Sequence, residues 1–109
     1  MRAIIERTSG AFVGQIGFHG APGYNGLGAA DAVELGYAVE EAYRGRGYAT
    51  EAARGMIGWA RSRGIDRILA SVAPHNAASL AVVRRLGMRE VTSVVDEVDG
   101  PEIVFELRR

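Results

Sequence analysis

Tyr43-Arg44-Gly45-Arg46-Gly47-Tyr48-Ala49-Thr50-Glu51 joins a strand-like run to a strongly helical one, and its reading decides the fold. Ahead of it, Val33-Glu34-Leu35-Gly36-Tyr37-Ala38-Val39 reads as a strand, buried on both faces at its end. Behind it, Ala49, Ala52, Ala53, Met56, Ile57 and Ala60 recur at helical spacing. Arg61 and Arg63 fall in the last turn and Gly64 supplies a stop, so the helix is expected from about Tyr48 to Arg63. A loop placed this way can aim several backbone N–H groups at an anion. Small residues let a diphosphate approach the main chain, and the helix adds unsatisfied amides and its positive dipole end. Each charge-assisted hydrogen bond of that kind contributes about 1.5–3 kcal/mol. The competing reading is a helix start with two glycines for tight packing, and the residues alone leave both open. The stretch is not a P-loop, which needs Lys followed by Ser or Thr, nor a dinucleotide fingerprint, which needs three spaced glycines.

Working outward, Ala3-Ile4-Ile5-Glu6-Arg7 reads as a strand and Thr8-Ser9-Gly10 as a turn. Phe12 to His19 follows, with Phe12, Ile16 and Phe18 on one period-2 face and Gly14 between them, which predicts a hairpin. Gly20 to Ala30 is glycine-rich with one proline and is expected to be a surface loop. Past the helix, Arg67 to Ala73 is a further strand ended by Pro74. A second helix starts near Asn76, a good N-cap, and stops at Gly87. Its buried stripe is Leu80, Val83 and Leu86, with Arg84 and Arg85 in solvent. Met88 to Val98 and Glu102 to Leu107 close the chain as a pair around Asp99-Gly100-Pro101. The order β-β-β-α-β-α-β-β predicts one mixed α/β (α+β) domain, a mostly antiparallel sheet with two main helices.

At 109 residues one domain is the sensible count, and it buries roughly two-thirds of its unfolded surface. The absence of Cys excludes disulfides, thiolate metal sites and Cys nucleophiles. Thirteen basic against thirteen acidic side chains argue against a nucleic-acid binder that works by phosphate neutralisation. All the basic residues are Arg, so no Lys can act as a Schiff-base nucleophile or phosphate ligand. No apolar run approaches the roughly 20 residues of a membrane span, and no signal-peptide pattern opens the chain. A cytoplasmic location without membrane association is expected.

Arg44-x-x-Gly47-x-Ala49 resembles the acyl-CoA diphosphate loop of the GNAT superfamily of N-acyltransferases. Its surroundings match too: Leu35-Gly36-Tyr37 before the loop, Gly47 to Ala52 opening the helix, and Asn76-Ala77-Ala78-Ser79 followed by Leu86-Gly87-Met88. That set is similar to the branch containing the Rim-type ribosomal-protein N-terminal acetyltransferases, and it extends from the hairpin to the last strand. A usual member carries a first strand and two helices ahead of the hairpin, so a shortened GNAT fold is expected.

The resemblance implies acetyl transfer from acetyl-CoA to a primary amine, without a metal. It implies cofactor contacts from Tyr37, Ala38 and Val39, from Arg44, Gly45, Arg46, Gly47, Tyr48, Ala49 and Thr50, and from Asn76 and Ser79. In the family the third and fourth strands splay apart, and the pantetheine arm pairs with free backbone groups between them. Here those are Tyr37 to Val39 and Ser71 to Ala73, with an N–H near Val39 to polarise the thioester carbonyl. Ser79 stands where many relatives place a Tyr that protonates the CoA thiolate. A serine is a poor acid, so thiolate stabilisation is the role expected of it. Glu34 is the best candidate base, sharing a strand face with the small residues Gly36 and Ala38. Glu51 can pair with Arg54 one turn along the helix. His19 and His75 are isolated in sequence and read as surface residues, and no cluster has metal-ligand spacing.

Two other readings stand beside the enzyme: an acyl-CoA-binding module without transfer, and a half-protein completed by a partner. The apolar face of Phe12, Ile16 and Phe18, extended by Trp59, predicts a homodimer.

Overall fold

The computed structural model describes residues 2–20, 22–25, 27–98 and 100–108. Strands β1 (Arg2–Ile5), β2 (Phe12–Phe18) and β3 (Ala32–Val39) lead through a short 3-10 turn (Glu41–Tyr43) into helix α1 (Tyr48–Ser62). β4 (Arg67–Val72), α2 (Ala77–Arg85), β5 (Arg89–Asp96) and β6 (Gly100–Arg108) complete the expected order. One six-stranded sheet runs β1-β2-β3-β4-β6-β5. Among the described residues, its only parallel pair is β3 with β4. Pro101 belongs to β6 opposite Val95 rather than to the preceding turn, and Asp99 lies outside the described residues. Strand β1 stops at Ile5, so Glu6 and Arg7 begin the turn.

Both helices pack on the same face of the sheet, where Ala53, Ile57 and Ala60 of α1 meet Ile16, Leu35 and Ile68. α2 contributes Val82 and Val83, with Leu86 just beyond and Leu80 half-buried. Val82 thus joins the predicted stripe. Arg54 donates Nη2 to the Arg85 carbonyl at 2.9 Å, joining the two helices instead of serving a pair along α1. Among the described residues, no helix is long and apolar enough to cross a membrane.

The hairpin departs from simple alternation. Ile4 pairs with Gly14 but Ile5 pairs with Phe12, which leaves Val13 as the extra residue of a bulge. The bulge turns Val13 fully into the core and leaves Phe12 half-exposed. Ile16 is buried, and Phe18 stacks on Trp59 with ring centroids 6.2 Å apart. Helix α1 of the same chain thus covers Ile16 and part of Phe18, while Phe12 and Trp59 stay about half-exposed.

The loop before β3 packs on the opposite face. Asn25 donates Nδ2 to the carbonyls of Ala29 and Ala32, and its Oδ1 accepts from the amides of Leu27 and Ala29. That one side chain holds Leu27 and Ala29 against Ala32, Leu69 and Val104. Strand β3 is buried from Ala32 to Leu35 and opens toward Val39, the reverse of the sequence expectation. The reason is the loss of its neighbour β4, described below.

Glu106 is buried in β6, accepting Arg67 Nε at one oxygen and Arg108 Nε at the other, each at 2.8 Å. Burial alone would raise its pKa, but the two guanidinium hydrogen bonds outweigh burial and hold it below the ordinary 4.5. A depressed folded-state pKa contributes stability above the ordinary value and loses it as pH falls through the depressed one. Thermal unfolding between roughly pH 3 and 7 should show the native melting temperature falling at the acid end. Glu106→Gln should flatten that slope and cost at least about 1 kcal/mol near neutrality. An unchanged slope in the variant would contradict this account.

Candidate active site

The sheet is split in its middle. β3 and β4 form only three parallel pairs, Ala32↔Arg67, Val33↔Ile68 and Glu34↔Leu69. Beyond them β3 continues along β2 to Val39, and β4 along β6 to Val72. His19 N donates to the Glu34 carbonyl at one end of the β2–β3 ladder and Glu40 N to the Val13 carbonyl at the other. Antiparallel alternation then directs the backbone groups of Gly36 and Ala38 to β2, and those of Tyr37 and Val39 into the split. The Val39 carbonyl accepts Arg44 Nε at 3.0 Å, which anchors the loop to the strand.

A cavity of about 570 Å³ opens at the mouth of this split. Tyr37, Ala38, Val39, Arg44, Gly45, Gly47, Tyr48, Ala49, Thr50, Asn76 and Ser79 all line it. Arg46, expected with them, is not among the lining residues: its guanidinium lies 5.4 Å from the centroid of the Tyr43 ring, and its charge acts on Glu6. Tyr43, His75 and Arg85 line the cavity and were not anticipated. Gly47 caps α1 at φ +83, a left-handed conformation that glycine adopts without strain. With no side chain there, the first amides of α1 face the cavity uncovered. Thr50 Oγ1 is buried and has no hydrogen-bond partner among the described residues. An orphaned buried hydroxyl beside free helix amides and two arginines fits an anionic, hydrogen-bonding group such as a CoA diphosphate.

Across the cavity, Asn76 Oδ1 accepts the Ser79 amide at 3.1 Å and caps α2. Tyr37, on the helix side of β3, donates its hydroxyl to the Ser79 carbonyl at 3.2 Å. Burial raises the pKa of this phenol, and the Ser79 hydrogen bond offsets part of the effect.

Glu34 lies on the face opposite the helices. It is buried, and Ser71 Oγ donates to its Oε1 at 3.1 Å while His19 Nδ1 lies 2.8 Å from its Oε2. Its carboxylate is therefore held inside the fold rather than in open water. His19 is half-exposed, as read, but it is not isolated: it stands directly across the ladder from Glu34. A Cβ on Gly36 would meet His19 Nε2 at 2.1 Å, so the imidazole could not keep this position beside any larger residue. The hairpin register was the signal that could have joined His19 to Glu34. Ser71, for which only the main chain was considered, supplies its side chain to this cluster.

The model of the acetyltransferase (GNAT) domain matches residues 1–89. A Bacillus subtilis (strain 168) protein named Uncharacterized N-acetyltransferase YjdG is 35% identical over 85 residues, 77% of this chain and 48% of its own length. The chain spans about half the length of the curated relatives it matches. A GNAT-family acetyltransferase from Bacillus anthracis superposes with a TM-score of 0.80 at 25% identity, covering 97% of this chain and 64% of that one. The Salmonella typhimurium protein yncA, solved with its cofactor acetyl-CoA, shares the fold at a TM-score of 0.75 and 23% identity, covering 91% of this chain and 59% of that one. With a split sheet, a glycine-capped helix at its mouth and a family match over most of its length, the chain belongs to the GNAT acetyltransferase domain family.

Proposed function

We propose that this chain transfers an acetyl group from acetyl-CoA to a primary amine. The observation that carries the reading is the cavity at the split, where free amides of α1, the orphaned Thr50 hydroxyl and the glycines of the loop converge. The diphosphate would lie on the amides from Gly47 to Thr50, with Arg44 and Arg85 nearby for its charge. The pantetheine arm would run into the split along Tyr37 to Val39, where Val39 N–H polarises the thioester carbonyl.

The acceptor approaches from the other face, where Glu34 takes the ammonium proton. The freed nitrogen pair forms the C–N bond to the thioester carbon. The C–S bond then breaks with its electrons on sulfur, and the Ser79 hydroxyl stabilises the thiolate. The second nitrogen proton leaves, giving the amide and free CoA. The motif set Leu35-Gly36-Tyr37 with Gly47 to Ala52 supports a Rim-type enzyme, whose acceptor is a protein N-terminus.

The loop assignment is tested by Gly47→Val. A β-branched side chain at φ +83 is strained and projects where the diphosphate must approach. Acetyl-CoA affinity by calorimetry should fall at least about tenfold, or about 1.4 kcal/mol. Native affinity in a variant shown to be folded by its thermal transition would remove the loop from the binding site.

A further inference from the structure

The reaction needs a proton for the departing thiolate, and a serine hydroxyl is a poor source of one. We propose that Tyr37 is a catalytic residue whose hydroxyl, resting against the Ser79 carbonyl, turns from it to deliver this proton to the departing sulfur. The inference rests on the acetyl-transfer reading above and adds a residue to it.

Three observations support it. Tyr37 lies past the last β3–β4 pair, on the free edge of the split. Its hydroxyl reaches the first turn of α2, where it donates to the carbonyl of the residue whose side chain is the thiolate candidate. Finally, strand alternation puts Glu34, Gly36 and Ala38 on one sheet face, while Leu35 and Tyr37 pack on the helix side. Acid and base therefore occupy opposite faces of one strand, three residues apart, with the split between them. A reaction in which cofactor and acceptor enter from opposite faces places its acid on the cofactor side and its base on the acceptor side.

The step balances. As the C–S bond breaks, its electron pair goes to sulfur, the Tyr37 O–H proton passes to that sulfur, and CoA leaves as the thiol. The resulting phenolate regains a proton from water. Across the cycle one ammonium and one thioester become one amide, one thiol and one proton released to solvent.

Tyr37→Phe removes only the oxygen. With the amine that proves active among an alanine-led peptide, spermidine, an aminoglycoside and a free amino acid, the variant should turn over acetyl-CoA about 100-fold more slowly. Its acetyl-CoA affinity should stay within about threefold of native. With S-phenyl thioacetate, whose thiolate departs without protonation, native and variant rates should agree within about threefold. Equal losses on both thioesters would show a merely structural hydroxyl, and no loss on acetyl-CoA would show an idle one; either overturns the proposal. A native chain inactive with every amine would instead refute the acetyl-transfer reading and this proposal with it.

Discussion

Glu34→Gln is expected to lower kcat about 10²–10⁴-fold while acetyl-CoA affinity stays within about threefold of native. The carboxylate receives Ser71 Oγ on one oxygen and faces His19 Nδ1 with the other. An amide of the same shape has a single acceptor oxygen, so it can serve only one of those partners as before. Its NH2 group then faces either the Ser71 hydroxyl, which must turn to accept, or the His19 ring nitrogen, which must change tautomer or swing away. The variant also loses the negative charge that receives the amine proton. Because Glu34 lies on the face opposite the cavity helices, cofactor contacts are untouched. Steady-state kinetics with calorimetry separates the two effects. A kcat loss below about threefold would remove Glu34 from the chemistry.

Gly14→Ala is the substitution expected to cost the most stability. A Cβ there would lie 2.2 Å from the Ala38 carbonyl oxygen and 2.9 Å from Val39 Cα. Both are backbone atoms of the neighbouring strand, so no rotamer change relieves the clash and β3 must move. The cost should reach about 2–3 kcal/mol, lowering Tm by roughly 8–20 °C for a domain of this size. Ala38 and Val39 line the split, so acetyl-CoA affinity should fall with stability. Gly55→Ala is the control: in α1 its Cβ meets nothing within 4 Å, and it should stabilise by about 0.5–1 kcal/mol. Native-like melting of Gly14→Ala would show that β2 and β3 are not as tightly joined as described.

Much of this was legible in the sequence where local chemistry decides. The apolar spacing from Ala49 to Ala60, with Gly64 after it, placed α1 to within a residue. Asn76 announced α2 by the cap it makes. The loop glycines allowed an anion site, because a helix start without side chains leaves amides bare, but tight packing remained an equal reading of the same residues. What stayed hidden depends on register. The bulge at Val13 comes from a mismatch between two strands, and no period within Phe12 to Phe18 shows it. The same holds for His19, fifteen residues before Glu34 and adjacent only once the ladder forms. Tyr37 and Ser79 are forty-two residues apart, and their hydrogen bond exists because the sheet splits where α2 begins.

Amine-dependent release of CoA thiol from acetyl-CoA, followed by mass analysis of the acceptor, tests the central claim most directly. The account predicts at least one primary amine, from a panel including N-terminal peptides, for which thiol release rises well above the amine-alone rate. One acetyl group should then appear on that amine for each thiol released. Thiol release no faster with the chain than without it, across the whole panel, would contradict the account.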